Sequence, residues 1–145
     1  MPNFSGGTRS AGAGSTTLPV GSLYAIASLG GDLYEVAAFN TTTTAVAVKL
    51  VRLTSAGTPG AGLTEGKKQI ERAAANMTLF DTHTGAPTLG DDMGYRAQLG
   101  AAIGSGIIWP IRGGIEIPAG TANGVGIIVA TGTGQVLDWW MEWEE

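Results

Sequence analysis

Apolar residues along this 145-residue chain recur mostly at every second position, in short runs separated by glycine, proline, asparagine and threonine. That period is the mark of half-buried β-strands, because successive strand side chains point to opposite faces. Residues 45–53 show it most clearly. Val46, Val48 and Leu50 fall on one face, and Ala47, Lys49 and Val51 on the other. Over residues 135–143, Leu137, Trp139, Met141 and Trp143 share one face, while Asp138, Trp140, Glu142 and the following Glu144 share the other. Residues 125–130 are apolar throughout, which predicts a strand covered on both sides, central in a sheet or part of an interface. Further strands are expected over 23–29, 33–39, 77–82, 95–103, 106–111 and 115–117, the last ended by Pro118.

Turn chemistry separates these runs. Gly30-Gly31-Asp32 reads as a tight hairpin, Asn40 and the four threonines after it as a turn, and residues 88–93 with Gly90-Asp91-Asp92 as another. Thr131-Gly132-Thr133-Gly134 is long enough for a hairpin, and residues 54–66 form the longest loop. Residues 67–75 fit either a short helix, through Ile70, Ala73, Ala74 and Met77, or an irregular arm. Residues 1–20 are mostly small and polar, so they predict a flexible or extended N-terminal arm that orders along a neighbouring subunit or shell protein. That leaves 21–145 as one domain. About eight strands are too many for a single open sheet of this length. The expected fold is therefore all-β, an antiparallel β-sandwich of jelly-roll-like form.

Composition narrows the function. Only 14% of residues are charged and 43% are hydrophobic, a balance that argues against disorder and leaves surface for partners to cover. A net charge of −4 excludes nucleic acid as the main partner, since phosphate binding needs a basic face. The absence of cysteine excludes disulfides and thiolate metal sites. The first residues lack the apolar core of a signal peptide, and no stretch approaches a membrane span. Synthesis and folding in a reducing cytosol, without membrane insertion, are expected.

Candidate chemistry is sparse. His83, the single histidine, lies two residues from Asp81, but no serine sits in a Gly-x-Ser-x-Gly elbow. His83 with Asp91 and Asp92 offers donors for a hard cation, without the alternating carboxylates of a calcium loop. Gly124-Val125-Gly126 and the 131–134 link lack the Lys-Ser/Thr of a phosphate loop. We therefore expect no catalytic residue, no metal ligand and no cofactor. Trp139, Trp140 and Trp143 could form a sugar-stacking platform, yet alternation assigns Trp139 and Trp143 to the core and only Trp140 to the surface. The expected interface residues are Trp140, Glu142, Val125 and Ile127, the last two from the doubly apolar strand.

Several segments resemble small virion proteins of tailed bacteriophages. They are Thr82-His83-Thr84-Gly85-Ala86-Pro87-Thr88-Leu89-Gly90-Asp91-Asp92, Gly94-Tyr95-Arg96, Leu99-Gly100-Ala101-Ala102-Ile103, the run from Ile115-Glu116-Ile117-Pro118 to Gly124-Val125-Gly126-Ile127, and the closing Trp143-Glu144-Glu145. The likeness covers roughly residues 78–145, with a weaker echo over 22–53. It implies a non-enzymatic decoration (cement) protein of the virion surface: a jelly-roll-like unit that forms a homo-oligomer, often a trimer, and binds the major capsid protein or other virion proteins. It carries over no active-site residue. The alternatives are a carbohydrate- or receptor-binding tip using loops 54–66 and 84–93, and a trimeric module of the tumour-necrosis-factor type.

Overall fold

The computed structural model describes residues 2–145. Among these it contains eleven strands and no helix: β1 (Phe4–Arg9), β2 (Gly21–Tyr24), β3 (Gly31–Asn40), β4 (Val46–Leu53), β5 (Gly62–Leu63), β6 (Gly66–Lys67), β7 (Thr78–Phe80), β8 (Leu89–Leu99), β9 (Gly106–Ile117), β10 (Gly124–Thr131) and β11 (Leu137–Glu144). The pairing is nested. β1 pairs with β11, β2 with β10, β3 with β9 and β4 with β8, all antiparallel. Two more ladders, β11 with β3 and β10 with β4, join these pairs into sheets. The outcome is β1-β11-β3-β9 packed on β2-β10-β4-β8, the wrapped double sheet of a jelly roll. The short strands β5, β6 and β7 come from the segment between β4 and β8. They widen the sheets to β6-β1-β11-β3-β9 and β5-β7-β2-β10-β4-β8.

Alternation dictates which side chains fill the space between the sheets. Trp139, Met141, Trp143 and Leu137 point inward from β11, Val46, Val48 and Leu50 from β4, and Val125, Ile127 and Val129 from β10. The interior thus receives the faces that periodicity marks as apolar. A second, smaller apolar cluster lies outside β4 and β10, where Val51, Leu53, Ile128 and Tyr24 are buried under Ala56, Phe80 and Leu89. Thr58 of the 54–66 loop bonds to Gly85 and Thr84 (Thr58 N–H to Gly85 O 3.1 Å, Thr84 N–H to Thr58 O 2.9 Å). These two loops therefore form the cover of that cluster.

Several expectations need correction. The N-terminal segment is not a free arm throughout: Phe4–Arg9 is a strand of the chain's own sheet, held between β11 and β6. Gly30-Gly31-Asp32 and the 131–134 link are not hairpins: the former ends a crossing from β2 to the other sheet, with Gly31 and Asp32 already in β3, and the latter crosses from β10 to β11. A glycine pair signals a sharp reversal but not which strand the chain then pairs with. Residues 88–93, expected as a turn, belong to the long edge strand β8, and 106–111 and 115–117 are one strand, β9, with an irregularity in its pairing to β3. Residues 67–75 take neither a helix nor an arm; they leave β6 and turn, with the Arg72 N–H donating to Gln69 O at 3.0 Å.

Candidate interaction surface

The outward face of the β6-β1-β11-β3-β9 sheet is the complement of the core pattern. Since Trp139 opposes Ala38 and Met141 opposes Val36 inside, the outward residues fall into rows across the strands. Arg9, Asp138, Phe39 and Gly106 form one row; Gly7, Trp140, Ala37 and Ile108 form the next. Ser5, Glu142, Glu35 and Pro110 follow, then Glu144, Asp32 and Glu116.

Trp140 is the centre of the second row. Its ring stacks on Phe39, with centroids 5.3 Å apart and planes at 22°. Its indole N–H donates to Glu35 Oε1 at 3.2 Å. These contacts hold the ring half-buried along the sheet and leave Ala37 beneath fully covered. Gly7 is opposite Trp140 on β1, and a Cβ there would lie 2.0 Å from the Trp139 carbonyl oxygen, so only glycine fits so close to that backbone. Ile108, on the edge strand, remains 45% exposed. Phe39, Trp140, Ile108 and Pro110 make an apolar patch, with Ala37 buried beneath it.

Acids border this patch. Six of the twelve carboxylates lie on the face: Asp32, Glu35, Glu116, Asp138, Glu142 and Glu144. Glu35 is directly opposite Glu142, and Asp32 is opposite both Glu144 and Glu116. Like charges in directly opposed strand positions are destabilising. Cations offset part of this. Arg9 makes a two-pronged bond to Asp138 at 2.9 and 3.0 Å, which holds that carboxyl below its usual pKa. Lys68 reaches Glu142 at 2.6 Å.

The structure thus places Trp140 and Glu142 on this surface as expected from alternation. Val125 and Ile127 do not belong to an interface. Both are fully buried between the sheets, and the apolar outer side of their strand is covered by the chain's own loops. Reasoning from the residues missed Phe39, Ala37, Ile108 and Pro110. Phasing residues 33–39 as was done for 135–143 finds the first two, since Glu35, Ala37 and Phe39 share a parity.

The other candidate chemistry is not assembled. His83 is buried, and its Nε2 shares a 2.8 Å hydrogen bond with the Ser22 hydroxyl, which is itself fully buried. Burial pushes the His83 pKa below the usual imidazole value, with the Gly85 backbone opposing. Asp81 does not orient this pair; its Oδ1 accepts instead from the Ala11 and Thr82 N–H groups. A serine and histidine sealed from solvent cannot meet a substrate, so the pair is a polar link inside the cover. Asp92 lies elsewhere, on the β8 edge, bonded to the Gly94 N–H, Arg96 and Lys49, and these hold its pKa down to about 2. Among the described residues no group of three or more His, Asp or Glu is placed to hold a metal ion. Loops 54–66 and 84–93 contain no Phe, Tyr or Trp, the residues on which a sugar ring stacks. No protein family, curated protein or solved structure matches the chain.

Proposed function

We propose that the chain is a non-enzymatic structural protein of a tailed-phage virion. It acts as a decoration (cement) unit that oligomerises, as a trimer, on the particle surface and contacts the major capsid protein. The observation that carries this reading is the Trp140 patch. It is an apolar surface on an outward sheet face, bordered by acids, which is the anatomy of a protein contact. The nested jelly roll supports it, since that architecture recurs in capsid and lectin domains, and the segment resemblance points the same way. Fold alone assigns no role, so the weight rests on the face.

Electron microscopy of the native particle tests the proposal. We expect jelly-roll density at symmetric positions on the capsid surface, together with the protein in the mass spectrum of purified particles. Absence from purified particles overturns it. A glycan-array signal abolished by Trp140→Ala replaces it with the carbohydrate-binding reading.

A further inference from the structure

The turn after β6 carries a second feature of the same chemistry, inverted. Ile70 is 88% exposed. In the chain it sits among Lys67, Lys68, Glu71 and Arg72, a net positive turn in which Lys67 is exposed, Lys68 is bonded to Glu142 of its own chain and Arg72 is half-buried. One exposed isoleucine is ordinary. An isoleucine collared by cations, on a molecule that also displays an apolar patch bordered by carboxylates, is a matched pair.

We propose that the 67–72 turn of one copy docks on the Trp140 patch of a second copy. Ile70 packs against Trp140 and Ile108, while Lys67 and Arg72 face Glu35 and Asp32. The contact names the self-association within the assembly role proposed above and rests on that role. Within one chain Lys68 bonds Glu142 at the border of the patch, but Ile70 itself stays exposed. Ile70 touches nothing that shields it, and β6 and β9 are opposite margins of the sheet, four strand spacings or about 19 Å apart. Charge decides the geometry. Patch against patch would set Asp32, Glu35 and Glu116 of one copy against those of the other, so a symmetric back-to-back dimer is disfavoured. Turn against patch uses two different surfaces on each copy. That is a head-to-tail contact, which closes into a ring when the rotation permits.

A head-to-tail contact has a specific test. Ile70→Glu destroys the turn and leaves the patch intact; Ile108→Glu does the reverse. Mass measurement in solution should show the wild type larger than a dimer and each variant a monomer. A mixture of the two variants should form a 1:1 dimer, because one intact turn and one intact patch remain. Glu35→Lys, a second patch variant further from the edge strand, should also be a monomer and should pair with the Ile70→Glu variant. Near-ultraviolet circular dichroism confirms that each is folded. The oligomer should weaken at least tenfold between low salt and 0.5 M salt. A monomeric wild type, a variant that keeps its oligomer, or variants that fail to pair on mixing overturns the contact. Particle microscopy separates the two claims: a monomer found on the particle sinks the contact alone, and an oligomer missing from the particle sinks the virion role alone.

Discussion

Phe4 stacks on Trp143, their ring centroids 5.8 Å apart and their planes at 28°. The third residue of the described chain and the third from its end therefore share one core site, and β1 closes against β11 from Phe4↔Trp143 to Arg9↔Asp138. Phe4→Ala should cost about 3–5 kcal/mol, as large aromatic truncations in cores do. Trp143→Ala should cost a similar amount. A double-mutant cycle by urea unfolding should return a coupling of about 0.5–1.5 kcal/mol for the stacked pair. Deleting residues 2–9 should abolish cooperative unfolding, because it removes a strand from inside a sheet. Had the segment been a free arm, the truncated protein would fold normally.

Gly21 lies under the ring of Trp139, where an added Cβ would come within 2.2 Å of Cε2. The Trp139 ring crosses the core to rest on the β2 backbone, so there is no room for a methyl group. Gly21→Ala should destabilise by about 1–3 kcal/mol through overpacking. The denaturation midpoint should fall with an unchanged urea slope, and an unchanged midpoint would show that the ring can move aside.

What the chain reveals before folding depends on how strongly each strand needs its own alternation. β11 is buried on one face along its whole length and β4 over Val46–Leu50, so Trp139, Met141 and Trp143, or Val46, Val48 and Leu50, declare their phase. β1 does not. Its Gly6-Gly7 reads as flexible, while in the sheet Gly7 is the residue that lets β11 approach with its Trp139 backbone and Trp140 side chain. β8 runs through Gly90-Asp91-Asp92 at a sheet edge, where charges protect the strand from further pairing and so mimic a turn. Val125 and Ile127 read as doubly apolar because both sides of β10 are covered, but the cover is local, made by the chain's own Ala56, Phe80 and Leu89. Periodicity shows that a face is buried and is silent on what buries it. Part of the candidate surface, Trp140 and Glu142, was visible for the same reason as the core. The rest came into view only when the β3 and β9 registers placed Phe39, Ala37 and Ile108 beside them.

Trp140→Ala separates surface from core on a single strand. The neighbouring inward tryptophans are fully enclosed, whereas Trp140 offers a stack with Phe39 and one hydrogen bond to Glu35. Loss of stability should be limited to about 1–2 kcal/mol. Association, read by analytical ultracentrifugation, should weaken by tenfold or more. A stability loss equal to that of Trp143→Ala would place Trp140 in the core.

Asp92 ties the β8 edge to β4 through Lys49, and its carboxyl is held down to about 2 by the Gly94 N–H, then by Arg96 and Lys49. Its folded pKa lies below the ordinary 3.8, so the native state favours the charged form. The associated stability is present above pH 3.8 and is lost as pH falls through about 2. Asp92→Asn should therefore flatten the acid limb of the stability profile in that window. Because the group is exposed, raising the salt should shrink the difference between variant and wild type.

His83 provides a separate test nearer neutral pH, and it is the only histidine. Burial lowers its pKa from 6.5, so the folded state prefers the neutral ring while the unfolded chain accepts a proton more readily. Between the folded and unfolded values the unfolded state binds more protons, and stability must rise with pH there. The protein should be at full stability above about pH 7 and weaken as pH falls below 6.5, beginning well before the carboxylates titrate. His83→Gln should remove this slope while lowering the plateau, since the Ser22 bond is strained or lost. Ser22→Ala should keep a slope and cost about 1–3 kcal/mol at pH 8, by leaving the buried Nε2 without its partner. Urea midpoints between pH 5 and 8 distinguish these outcomes. A wild-type profile that is flat across pH 6.5 would mean that His83 reaches solvent, which would reopen the Ser22–His83 pair to chemistry.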